Sequence, residues 1–258
     1  MMPLRLQRSL VMALVLALGP MGATGVSAQQ AAPRSKLLLT PSTPLPRDGT
    51  YIANDRIAFA LDHKGNQVRL RFLDNDEVFY LSGEAGLLGG RVFKYDTGTE
   101  ALQVTAFGAV TLYTDKAKNG WPAEYNDGDQ NVSVDPPPLS YRDMRPFALK
   151  LAQDLSGGDD FAVGFVADWD GLARTESDAL RGLACSAMRD AAYALDAVAK
   201  TGKRAKVVDK LHIVHVKEGA KAGASYQKGV LTVTYAPKGG ASARPSSLVI
   251  ARALEAAL

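Results

Sequence analysis

The sequence predicts an α+β protein, with an N-terminal antiparallel β-barrel or sandwich followed by an α/β half whose helices pack on a small antiparallel sheet. Three observations carry this expectation. Between residues 51 and 114, apolar residues recur at every second position in short runs broken by turn residues. After residue 140 the period becomes 3.6, most clearly over residues 175–200. Cys185 is the single cysteine, so no internal disulfide holds the chain and the core must come from apolar packing alone.

The chain opens with Arg5 and Arg8, then an apolar run of about nine residues from Leu10 to Leu18, then Val26-Ser27-Ala28. A basic start, a short apolar core and small residues form the pattern of a secretory signal, with cleavage expected after Ala28. The run is too short to span a bilayer, which takes roughly 20 residues, and no later run is long enough. The expectation is a periplasmic or secreted protein without a membrane span. Residues 29–50, rich in Pro, Ser and Thr, read as a flexible arm.

The β-rich domain is expected over residues 51–114. Ile57, Phe59 and Leu61 share one face, as do Val68, Leu70 and Phe72, with Arg69 and Arg71 pointing the other way. "EVFYL", "RVFKY", "ALQVTAF" and "AVTLY" continue the pattern, giving about six strands in a meander. Residues 115–140 read as a long polar loop. The α/β part, residues 141–258, begins with a helix whose face carries Met144, Ala148, Leu151 and Leu155, with Pro146 in its first turn. "FAVGFVA" reads as a strand. A long helix then runs from a Thr175/Asp178 capping box to Thr201-Gly202. "KVVDKLHIVHVKE" and "GVLTVTYAP" read as a hairpin, and Ser246 or Ser247 caps a last helix.

Only "FKYDTGTE" contains a familiar catalytic signature, the Asp-Thr-Gly at Asp96. An aspartic protease needs two such acids sharing a proton, and the chain has one copy, flanked by polar residues and set between two strands. There Asp and Gly are turn residues, so Asp96→Asn is expected to cost little stability. His212 and His215 sit in a strand-like run, where odd spacing sends their rings to opposite faces, so no metal site is expected. Cys185 lies among apolar helix positions and reads as a buried thiol.

Candidate binding residues are Trp121 and Tyr125 beside Asp127 and Asp129, aromatics and acids fit to stack on a sugar or a partner. The alternative is that Trp121-Pro122 pins the loop to the barrel. A competing enzymatic reading places carboxylates of Asp127, Asp129, Asp159 or Asp160 across an envelope hydrolase cleft. Charge is divided: residues 29–173 hold 14 Lys and Arg against 20 Asp and Glu, and residues 174–258 hold 14 against 7. This split argues against nucleic acid as a partner. It fits either attraction between the halves or a basic face at Lys200, Lys203, Arg204, Lys206 and Lys210. The expected partner class is an envelope protein or glycan, with no cofactor.

"VRLRFLDNDEVFYL", "LGGRVFKYDTG", "LQVTAFGAVTLY" and "RPSSLVIARALE" resemble an uncharacterised family of signal-bearing proteins from Gram-negative bacteria, a domain of unknown function. The resemblance implies export and a shared fold, with no reaction attached. Residues 51–114 are also similar to the C-type lysozyme inhibitors, small periplasmic barrels that enter the enzyme's cleft with a Ser-Gly motif and a later lysine. The comparable run here is Gly89-Gly90-Arg91, and "AFGAV" carries no lysine.

Overall fold

Eight antiparallel strands close into a barrel in simple sequence order: β1 (Gly49–Ala53), β2 (Ile57–Lys64), β3 (Gln67–Phe72), β4 (Phe79–Ala85), β5 (Arg91–Lys94), β6 (Glu100–Val104), β7 (Val110–Thr114) and β8 (Ala117–Asn126). The computed structural model describes residues 45–65, 67–127, 134–135, 139–156 and 163–258, and these lie within one compact unit, Pro41–Leu258. Period-two patterning explains the closure. Phe59, Leu61, Val68, Leu70, Leu81, Phe93, Leu102 and Leu112 all point inward and are at most 2% exposed. A closed ring leaves no unpaired strand edge.

β1 and β8 fall outside the predicted six strands, and together they complete the ring. Thr50↔Asn126 through Ala53↔Ala123 are their paired positions. Within the segment expected as a polar loop, Ala117–Asn126 is therefore a ten-residue strand. Its inward residues Trp121, Ala123 and Tyr125 pack against the barrel core. Gly120, at φ +79°, sits where the β7–β8 register shifts, and Cβ at that position would lie 2.6 Å from Thr111 Cγ2. Gly is the residue that fits such a bulge.

Outside the barrel, Arg69 is 5% exposed and forms ion pairs with Asp62 and Asp135. Its outward direction is as predicted, but a second small cluster of Ala60, Val78 and Val134 shares that flank.

The second half contains α1 (Tyr141–Ser156), β9 (Gly164–Ala167), α2 (Trp169–Arg174), α3 (Asp178–Val198), α4 (Arg204–Lys210), β10 (Ile213–Glu218), β11 (Gly223–Gln227), β12 (Val230–Tyr235) and α5 (Ser247–Glu255). The sheet order is β11-β12-β10-β9. β10 runs parallel to both β9 and β12, and only β11–β12 is a hairpin, so the sheet is mixed where an antiparallel one was expected. "KVVDK" belongs to α4, and the strand begins only at Ile213. Tyr141 opens α1, which puts Pro146 in its second turn.

α3 is the long helix the apolar stripe predicts. Its cap is Ser177, whose side chain accepts from Leu180 N–H at 3.2 Å, two residues after Thr175. Gly202, at φ +82°, ends the helical run as expected. Met188, Leu195, Val214, Val216, Leu231 and Ile250 are fully buried between α3, α5 and the sheet.

Candidate functional site

The barrel and the second half meet at the N-terminus of α5. Two consecutive serines there each engage one barrel carboxylate. Ser246 N–H donates to Asp96 Oδ2 at 2.9 Å, and its hydroxyl donates to Asp96 Oδ1 at 2.7 Å. Ser247 N–H donates to Glu77 Oε1 at 2.7 Å, and its hydroxyl donates to Glu77 Oε2 at 2.6 Å. The first amides of a helix have no intrahelical acceptor and sit at the positive end of its dipole. Carboxylates are therefore suited to this position, and the barrel supplies two.

Asp96 is held by the β5–β6 hairpin turn, as its tripeptide predicts. Tyr95 N–H donates to Thr99 O and Gly98 N–H to Tyr95 O, both at 2.9 Å, and Gly98 has φ +78°. The carboxylate also has a structural task the sequence did not disclose, because its partner is 150 residues away. The expectation that Asp96→Asn costs little is thus revised, since that change alters an acceptor of two bonds. Glu77 lies in the β3–β4 connection, where Asn75 Oδ1 accepts its N–H at 2.9 Å.

Surrounding contacts lock the same junction. Arg252 donates to Thr97 O and to Thr99 Oγ1, each at 2.8 Å. Arg244 donates to Val78 O at 2.8 Å, pairs with buried Asp190 of α3, and lies over the Tyr80 ring. Leu248 of α5 packs on the barrel core, next to the buried pole. Burial pushes the Glu77 carboxyl up to about 7, against the Ser247 bonds and the Arg244 charge, which favour ionisation; nearby Asp96 pushes it further up. Burial lowers Arg244, while the charge of Glu77 opposes that shift.

Beside this junction runs a cleft of about 530 Å³. Its barrel wall includes Gln67, Tyr80, Ser82 and Lys94, and its other wall includes Ala222 and Gly223. Lys94 Nζ donates to Glu84 Oε2 at 2.5 Å, so the two charges on the barrel wall satisfy one another.

Of the residues singled out from sequence, Asp96 lines this cleft, and Trp121, Tyr125, Asp127, His212, His215 and Cys185 do not. Trp121 and Tyr125 are β8 residues turned toward the barrel core; the Tyr125 ring sits edge-on to Tyr51 at 5.3 Å and its hydroxyl donates to Asp48 O at 3.1 Å. Asp127 follows β8 and is exposed. Asp129, Asp159 and Asp160 lie outside the described residues. His212 precedes β10 and is exposed, while His215 is half-buried within it. Cys185 is buried in α3, and burial raises its thiol to about 11, with Arg189 opposing. In the basic stretch, Lys200 pairs with Asp196 and Lys203 donates to Glu255 O. Of the described helices, none is long and apolar enough to cross a membrane.

Residues 35–254 match the family described as Domain of unknown function (DUF4908). The chain belongs to this family. The matched span includes the barrel, the carboxylate–serine junction and nearly all of α5. No curated protein and no solved structure matches the chain, so the similarity to lysozyme inhibitors finds no counterpart there.

Proposed function

We propose that this protein is an exported, non-catalytic binding module and that its ligand is a glycan seated in the cleft beside the α5 junction. The observation that carries the reading is the commitment of the acids near the cleft. Both oxygens of Asp96 accept from Ser246, and both oxygens of Glu77 accept from Ser247. A hydrolytic acid or base must reach the substrate and exchange a proton with it. These two instead hold a helix.

The wall that remains offers hydrogen-bonding groups and a short backbone run, with its Lys94–Glu84 charges already paired. Such a surface suits a hydroxyl-rich ligand better than an ion, which would need an uncompensated charge. Export rests on the basic, apolar and small-residue pattern of residues 1–28.

Chitotetraose, a soluble N-acetylglucosamine tetramer, is the probe, with amide chemical shifts as the readout. Tyr80, Ser82, Lys94 and Gly223 are expected to shift on titration. Ser82→Trp, which fills the cleft from an exposed strand position, is expected to remove those shifts. Shifts elsewhere only, or shifts that survive Ser82→Trp, overturn the reading.

A further inference from the structure

We propose that the barrel pole opposite α5 docks on a phospholipid bilayer through Leu87, Leu88 and Phe107. The β4–β5 and β6–β7 loops form this tip, and they are neighbours, since Cβ at Gly89 would lie 3.7 Å from Ala106 Cβ. Leu87, Leu88 and Phe107 are 81%, 97% and 99% exposed, so they barely cover one another and are not covered by the fold. Large apolar side chains grouped in this way mark an interaction surface.

The loop geometry forces this display. Gly90 is pressed against β6, where Cβ would lie 2.7 Å from Val104 O. Gly90 N–H donates to Leu87 O, and Gly86 N–H donates to Gly90 O, both at 2.9 Å. Leu88 consequently has φ +52° and ψ +35°, a left-handed conformation that glycine takes without strain and leucine does not. A leucine held there, 97% exposed, returns no packing to the fold. Strain at such a position points to function.

Shape and charge select a lipid surface as the occupant. The last β3–β4 pair is Val68↔Leu81, yet β4 continues paired with β5 to Ala85↔Arg91. The tip thus projects about 10 Å beyond the β2–β3 turn, at roughly 3.3 Å per residue. A projecting point with separate side chains has no cavity or flat face to match a folded partner. Fluid acyl chains need no such match. Residues 86–90 and 105–109 contain no charged side chain, so the tip enters the headgroup boundary without desolvating an ion. Arg91 follows at the base of β5, and Lys64 stands at the β2–β3 turn, both set back toward phosphate height. Of the acids on this side, Asp48 pairs with His63, Asp62 with Arg69 and Glu84 with Lys94; Glu124 near the end of β8 and Asp127 after it are exposed to solvent.

The test uses the full chain and large unilamellar vesicles of phosphatidylethanolamine and phosphatidylglycerol at a 3:1 ratio. In flotation, wild type is expected to partition on the order of 100-fold more strongly than Leu87→Ser/Leu88→Ser/Phe107→Ser. The triple variant is expected to keep its far-UV circular dichroism and its melting temperature, because these side chains support no core. Phe107→Trp keeps the apolar tip, and vesicles are expected to shift its added emission to the blue. Equal partitioning of wild type and the triple variant, or F107W emission unmoved by vesicles, overturns the proposal. So does a wild-type dimer that the triple variant disperses without any vesicle binding, which assigns the tip to a second copy.

Discussion

Replacing Glu77 with Gln probes the junction by changing one proton. Glu77 is 2% exposed, and its carboxyl titrates near 7 in the folded chain against 4.5 for the ordinary group. Between those values the folded state holds a proton that the unfolded state has released. Stability is therefore highest below pH 4.5 and is lost as pH rises through 7. With about 1.4 kcal/mol for each pH unit of separation, the loss between pH 5 and pH 8 is about 2–3 kcal/mol. Gln has nearly the same shape. Its carbonyl can accept from Ser247 N–H and its amide can donate to the Ser247 hydroxyl, so the junction persists without a charge to desolvate. The assay is urea unfolding followed by tryptophan fluorescence at pH 5, 6, 7 and 8. Other titrating groups largely cancel in the difference between the two proteins. Wild type is expected to lose about 2–3 kcal/mol relative to Glu77→Gln across that range. A difference that stays flat with pH refutes the reasoning, because burial would then not govern this acid.

Two further substitutions test the barrel and its latch. Asp96→Ala removes the acceptor of both Ser246 bonds and leaves an α5 amide without its partner; about 2–3 kcal/mol of stability is expected to go, measured by chemical denaturation. Gly120→Ala places Cβ 2.6 Å from Thr111 Cγ2 in a left-handed position, so a loss of about 2 kcal/mol and a lower melting temperature are expected. An Ala at 120 that leaves the melting temperature unchanged would mean that the bulge can relax.

Local pattern carried the elements whose cause is local. Phe59 and Leu61, or Val68 and Leu70, alternate because one face of each strand is buried, and α3 shows its stripe for the same reason. The Asp-Thr-Gly turn was legible because its residues suit a reversal whatever surrounds them. β8 was missed because the polar residues around it, Asp115, Lys116, Lys118, Asn119 and Asn126 among them, read as a loop, although Trp121, Ala123 and Tyr125 keep the alternation beneath them. The β10–β12 pairing misled because two strands close in sequence suggest a hairpin, while β11 between them takes the antiparallel place. The junction was illegible. Nothing near Glu77 announces Ser247, 170 residues later, and a "PSS" before a helix reads only as a cap.

That separation sets an order of events during synthesis. The β-meander emerges first and can assemble from neighbouring strands, but the mouth near Glu77 and Asp96 must wait for a helix 150 to 170 residues further along the chain. Until α5 arrives, both acids are open to water. Seating Leu248 and the two serines shuts out solvent, and at mildly acidic pH that last step draws a proton from the medium. Closure of the molecule should therefore be visible to a pH indicator dye as a late uptake, after the strands have already formed.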